Sequence, residues 1–340
     1  MKKIRVVIFG CGKIGALWDL GTFQSKYKLT HLSGFSSHKG YEIVALCDTN
    51  SKLNIPISKK IKVPFYNSID KLISATKFDL AIIATPSNIR FSLIEKLVEN
   101  HTKFFIIEKP VALSSKEGIK IERLFNNYSV KPIINFSRRW NSAFTKLKFN
   151  LNDEIGSIQR CVGFYGKGLF NNGSHLLDLV IFLTGAKPIK TRSLGHCISE
   201  SKIRKSKYTD LSLDAQVLFQ YNSKNYFIFD MKATNHKFFS FFSLEFFGSN
   251  GRCEINESEK RINFYKIKES IDYKGYMFLN KRNNYLSIVN DSINNLVSDA
   301  FIFFTRKMGN SDTFLSSLVN IKVLEGIRQS ESKKGVWINI

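Results

Sequence analysis

Through the first 132 residues, short apolar runs alternate with segments of helical spacing. Ile4–Phe9, Glu42–Cys47, Leu80–Ala84 and Phe104–Ile107 are nearly continuous in apolar residues. That is the pattern of parallel strands covered on both faces, not of half-exposed ones. Between them, Thr30–His38, Ser68–Ala75 and Asn88–Asn100 carry helical spacing. At Ser114 a helix start is signalled by Glu117 three residues on, a capping-box spacing, and the helix runs to about Asn127. Strand and helix in alternation predict a doubly wound α/β domain over residues 1–132.

From residue 133 to 340 the rhythm changes. Two helices, about Ser142–Leu151 and Gly173–Thr184, are followed by successive β-type runs from Ile189 to about Lys266. Helices followed by runs of strands predict an α+β domain on a large, mostly antiparallel open sheet. His236–Phe247 is apolar at both strand parities, which suits a central strand covered on both sides or a subunit interface, the former preferred. Ser287–Phe304 and Thr313–Gln329 read as late helices, and Val336–Ile340 as a last strand. The Phe-rich run makes this domain the expected site of self-association, as a dimer or tetramer.

Composition changes the picture only in part. With 43% apolar and 23% charged residues the chain is globular throughout. The apolar stretch after Met1-Lys2-Lys3 is broken by Arg5 and ends at Gly10, too short for an export signal. No run approaches the ~20 residues of a membrane span. Five scattered cysteines fit neither a disulfide framework nor a metal site, so a reducing cytoplasm and no metal are expected.

A net charge of +23 raises the question of nucleic acid. The charge is dispersed, however, and comes with abundant Ile, Asn and Phe, as compositional drift would produce. The densest cluster, Lys202, Arg204, Lys205 and Lys207, reads as a solvated hairpin tip. An anionic small molecule is the preferred partner.

The chemistry is carried by a few motifs. Gly10-Cys11-Gly12-Lys13-Ile14-Gly15 fits G-x-G-x-x-G between a strand and a helix, where the glycines permit a tight turn and close approach to a pyrophosphate. Asp48 closes the second strand and takes the ribose-binding role, favouring NAD over NADP. It lies 33 residues beyond Gly15, against the usual ~20, and Trp18–Leu29 reads as the insertion responsible. Thr85-Pro86-Ser87-Asn88 and Glu108-Lys109-Pro110 follow the fourth and fifth strands, at the ends where open α/β sheets bind ligands.

Together with Gly166–Asp178 (GKGLFNNGSHLLD) and Asn135–Trp140 (NFSRRW), these segments resemble the glucose-fructose oxidoreductase/inositol dehydrogenase family, Gfo/Idh/MocA. The resemblance runs nearly end to end and takes in the late helix with Glu325–Ser332. It implies that Lys109 is catalytic, that Gly10, Gly12, Lys13, Ile14, Gly15, Asp48, Thr85, Pro86, Glu108 and Lys109 line the cofactor, and that His175 and residue 171 flank the reacting hydroxyl. The chain departs from the family pattern at Asn171, where an acid is usual, and at Ser87 and Arg90, where Asn and His are usual.

Oxidising a secondary alcohol sends a hydride to the nicotinamide and a proton to a base. Lys109 and His175 are the groups able to take that proton, while Asn171 can only position substrate. His175 falls in the first turn of a helix, whose dipole disfavours imidazolium, and Asp178 shares its face. The expectation is therefore an NAD-dependent oxidoreductase of a sugar, cyclitol or nucleotide-sugar. A non-enzymatic NAD-binding regulator and an NAD-dependent glycosidase are the alternatives.

Overall fold

The computed structural model describes residues 2–130, 132–203, 208–221, 223–235, 242–306 and 313–340, with 196 and 197 described by backbone alone. The chain divides into two compact units, Met1–Trp140 with Asn290–Leu318, and Asn141–Val289 with Val319–Ile340. The boundary expected from the sequence, 132/133, puts residues 133–140 and both late helices in the second domain.

In the first unit the strands are β1 (Ile4–Phe9), β2 (Tyr41–Cys47), β3 (Phe65–Tyr66), β4 (Leu80–Ile83), β5 (Phe104–Glu108) and β6 (Ile133–Asn135). They form one sheet in the order β3-β2-β1-β4-β5-β6, parallel throughout. Strand order reverses at β1/β4, the switch point at which doubly wound sheets open a ligand crevice. The intervening helices are α1 (His31–Ser37), α2 (Asn54–Ser58), α3 (Ile69–Ala75), α4 (Arg90–Glu99) and α5 (Ser115–Asn127). The Ser114 hydroxyl accepts from the Glu117 N–H at 3.1 Å, as the capping signal predicts, and the Glu117 carboxylate accepts from Leu113 N–H at 2.8 Å.

The second unit begins with α6 (Ser142–Ile155), β7 (Ile158–Tyr165) and α7 (Ser174–Thr184). The strands β8 (Lys187–Lys202), β9 (Thr209–Gln220), β10 (Tyr226–Ala233), β11 (Ser243–Gly248), β12 (Gly251–Asn256), β13 (Arg261–Glu269) and β14 (Met277–Ser287) follow. The last elements of the chain are α8 (Ser292–Arg306), α9 (Thr313–Ser332) and β15 (Ile338–Asn339). The second sheet runs β14-β13-β12-β11-β7-β10-β9-β8-β15, antiparallel except for the β7/β10 pair. Its strands alternate buried with half-exposed positions, clearest along β9, the mark of a sheet with one covered and one open face. On the open face Arg160, Asp230, Gln216 and Arg192 join β7, β10, β9 and β8 side by side.

Two readings of the sequence change. A strand, β7, lies between the two helices; its polar Gln159-Arg160 pair and Gly163 hid it, and partners on both sides supply its stability. Ser287, expected to open a helix, is the last residue of β14, and the helix itself starts at Ser292. Of His236–Phe247, residues 236–241 lie outside the described residues. Ser243–Gly248 is an interior strand with Glu245 and Phe247 half-buried, so it is covered on one face. The basic tip at Arg204, Lys205 and Lys207 also lies outside the described residues.

Among the described residues no helix is long and apolar enough to cross a membrane, and no group of three or more His, Cys, Asp or Glu side chains could hold a metal ion.

Candidate functional site

The carboxyl ends of β1, β2, β4 and β5 are neighbours along one edge of the first unit's sheet, and each carries a predicted residue: Gly10, Asp48, Thr85 and Lys109. After β1 the chain turns at Gly10, whose φ of +91° few side chains adopt, and a Cβ there would lie 2.7 Å from the Ala84 carbonyl carbon. Gly15 is required by close approach, since its Cβ would stand 2.0 Å from the Gly10 oxygen. Gly12 differs: nothing lies within 4 Å of its Cβ position, so it meets open space. Lys13 to Leu17 then coil in a wide π-type turn with no side-chain cap at its N-terminus. Open space at Gly12 and an uncapped turn are what a pyrophosphate requires.

Asp48 follows β2 and binds the turn directly. One carboxylate oxygen accepts from Cys11 N–H at 2.8 Å and the other from Asn50 N–H at 2.9 Å. Burial pushes the Cys11 thiol well above its ordinary value and that of Cys47 up to about 11, so both stay protonated and neither is a nucleophile at neutral pH.

The delay between Gly15 and Asp48 has a structural explanation. Residues 18–29 loop out and are closed by buried Asp19, which accepts from Leu29 N–H at 2.8 Å and Thr30 Oγ1 at 2.7 Å, and from the Ser33 hydroxyl. The loop is fastened to the first turn of α1, whose N-cap is Thr30.

Beyond β4, the hydroxyls of Thr85 and Ser87 are buried without a hydrogen-bond partner among the described residues. Orphaned donors next to the glycine turn fit a polar ligand. After β5, Glu108-Lys109-Pro110 runs through a cis Lys109–Pro110 peptide, and Lys109 is 1% exposed. Glu108 is buried as well; its Oε1 accepts from Asn135 Nδ2 at 2.7 Å and lies 2.9 Å from His31 Nε2.

Arg90, the first residue of α4, is fully buried. Its Nε and Nη2 donate to the Thr85 carbonyl at 3.1 and 2.6 Å, and its Nη1 donates to the carbonyls of Glu108 and Pro110. His31 and Asp19 escaped the sequence reading because nothing local distinguishes them, and Asn135 was visible only as the start of the Asn135–Trp140 segment. Arg90 was visible only as a departure from the family pattern.

In the second unit, Leu169–Gly173 form another wide turn feeding straight into α7. Asp210 caps it: its carboxylate accepts from Phe170 N–H and Asn171 N–H, both at 2.9 Å. Gly168, at φ +91°, has its Cβ position 2.2 Å from the same carboxylate, which explains the glycine before the turn. The Asn171 side chain donates to the Lys202 carbonyl at 2.9 Å. His175 sits half-buried in the first turn of α7, and Asp178 is buried one turn further on. Lys109 and Asn171 with His175 thus belong to different units, each set on its own turn. Asp210, 39 residues from Asn171, carried no sequence signal.

The parallel sheet with its glycine turn, strand-end acid and uncapped turn into the first helix has the build of a dinucleotide-binding Rossmann domain. Residues 4–136 match the family model GFO_IDH_MocA, oxidoreductase family, NAD-binding Rossmann fold. Over this segment the chain is similar to that family's NAD-binding domain. A search of curated proteins finds no match.

Among solved structures, an oxidoreductase from Agrobacterium radiobacter in complex with NAD+, L-tartaric acid and magnesium is 15% identical, with TM-score 0.71 and 99% of this chain and 98% of that one covered. An NAD binding oxidoreductase from Klebsiella pneumoniae is 16% identical, with TM-score 0.73 and 99% of each chain covered. A super-repressor mutant of Gal80p from Saccharomyces cerevisiae is 14% identical, with TM-score 0.72 and coverage of 99% and 97%. At these identities the likeness is one of fold, and it extends through both units.

Proposed function

We propose that the chain is an NAD-dependent oxidoreductase acting on a secondary alcohol or ketone of a sugar, cyclitol or nucleotide-sugar. The observation that carries this reading is Lys109, a buried amine at the end of β5 on the same sheet edge as the glycine turn and Asp48. Bound NAD supplies the hydride acceptor. The residues' task is to place the reacting carbon and move one proton. In the oxidising direction the O–H bond of the substrate breaks, and the proton passes to the His175 imidazole or the Lys109 amine. In the reducing direction the same group returns it. Asn171, whose amide already donates to Lys202, orients substrate and exchanges no proton.

Gly10, Gly12, Lys13, Ile14, Gly15, Asp48, Thr85, Pro86 and Glu108 are assigned to cofactor binding, with Asp48 favouring NAD over NADP. The high positive charge suits a phosphorylated or nucleotide-linked substrate. Self-association is placed on the open face of the second sheet, where Arg252 lies over the rings of Phe247 and Tyr265. A monomeric mass at micromolar concentration speaks against it.

The test is substrate-dependent absorbance at the NADH band across a panel of nucleotide-sugars, free sugars and cyclitols. Turnover supports the reading. Asn171 in place of the family's acid, with a repressor sharing the fold, favours one second reading, an NAD-binding regulator. NAD binding with no turnover of any member of the panel selects that reading instead.

A further inference from the structure

The segments after β4 and β5 are joined by no strand pairing beyond Ile83↔Ile107, yet both must hold still if cofactor and proton-transfer group are to meet. We infer that Arg90 is a positioning residue that clips these two segments into one body, coupling the Thr85-Pro86 cofactor contact to the Lys109 turn. The inference rests on the proposed function for the role of Lys109, but its geometry stands independently.

Three features separate Arg90 from an ordinary helix arginine. It occupies the first position of α4, where the helix dipole disfavours a cation. It is fully buried, where a guanidinium needs acceptors on several sides. Those acceptors are backbone carbonyls from two different strand ends: Thr85 on one side, Glu108 and Pro110 on the other. Glu108 and Pro110 flank Lys109, so the backbone of the lysine is held from both sides by one plane.

A guanidinium has five N–H donors in a fixed fork, which lets a single side chain serve three carbonyls. The histidine usual in the family at this place has at most two donors, and one when neutral. A lysine presents its donors from a single point. Arg90 therefore makes a connection that neither residue could reproduce, and the departure from the family pattern has a physical purpose in this chain. Complementary bonds from His31 and Asn135 hold the Glu108 side chain, so the turn is fixed through backbone and side chain separately.

The experiment compares the full chain with Arg90→Lys and Arg90→His. NAD affinity is measured by calorimetry, and amide hydrogen exchange is followed by mass spectrometry. Losing charge-assisted bonds to three carbonyls is expected to raise the Kd for NAD about 10-fold or more. Exchange should accelerate together over residues 84–88 and 108–112, with β1 and β2 amides unchanged.

Faster exchange in only one of the two segments, or an unchanged NAD affinity with unchanged exchange, overturns the clip. Loss of the native circular dichroism in both variants also overturns it, since Arg90 would then be a core stabiliser. If the oxidoreductase reading is wrong, the unaltered chain turns over no sugar, yet the coupled exchange and the weakened NAD binding in Arg90→Lys persist. The two failures are thereby distinguished.

Discussion

Cys11 donates its backbone N–H to Asp48 at 2.8 Å, so the acid proposed to select the cofactor is also a strut of the glycine turn. Asp48→Ala is expected to weaken NAD binding about 10- to 100-fold, by loss of charge-assisted bonds, and to narrow the advantage over NADP. Asp48→Asn keeps an acceptor for one of the two N–H groups and should lose less. Calorimetric titration with both cofactors checks this. An unaltered chain that binds NADP more tightly than NAD overturns the assignment.

The glycines of the turn should separate by role. Gly15→Ala sets a methyl 2.0 Å from the Gly10 carbonyl oxygen, and is expected to cost about 3 kcal/mol or more in stability. Gly12→Ala meets nothing within 4 Å, so its melting temperature should match that of the unaltered chain. Its NAD affinity should nonetheless fall, because the methyl occupies the space the pyrophosphate needs. Thermal melts with and without NAD read both effects. A Gly12→Ala variant that binds NAD normally would remove the pyrophosphate from this turn.

Lys109→Ala and His175→Ala are each expected to depress turnover by roughly 10² to 10⁴, the usual loss on removing a general base. NAD affinity should change little in His175→Ala. Asn171→Ala should lose less and leave the pH profile in place. Asn171→Asp, which restores the family's acid, exchanges a donor for an acceptor opposite the Lys202 carbonyl, 2.9 Å away. It is expected to lower stability at neutral pH. Steady-state kinetics against pH and urea melts test these outcomes; near-normal turnover in His175→Ala sinks the scheme.

A fourth expectation concerns acid stability. The Arg5 guanidinium holds the Asp79 carboxyl below its ordinary value through hydrogen bonds at 3.1 Å. A depressed carboxyl contributes stability that is fully present above the unfolded value of about 3.9 and is lost as pH falls through the lower folded value. For this partly exposed pair the contribution is about 0.5–1 kcal/mol. Asp79→Asn should therefore be less stable than the unaltered chain at pH 6 and nearly equal to it at pH 2. A gap that stays constant with pH excludes the ion pair as its cause.

Much of the candidate site was legible because its parts are local. A glycine turn needs only a short run of residues, and Asp48, Thr85 and Lys109 were found as residues that end apolar strands. The supporting shell was not legible. His31 reads as an unremarked helix residue until the fold sets it 2.9 Å from Glu108, 77 positions away. Asp210 is one acid in a β-rich run until it caps the turn that carries Asn171.

By itself the sequence determined the parallel sheet, the glycine turn, the insertion before α1 and the two-part organisation. Each follows from periodicity or from a residue whose backbone freedom is local. Only the tertiary structure decided where α8 belongs. Its apolar positions Ile293, Leu296, Val297, Ala300 and Phe304 would suit any apolar surface. They enter the core of the first unit, with Phe301 against Gly40 and Ile293 against Gly34, more than 250 residues back along the chain. An amphipathic stripe specifies that a face is buried but carries no information about its partner, because the hydrophobic effect is non-directional. The choice is made by shape, here by two glycines that leave room for the incoming side chains.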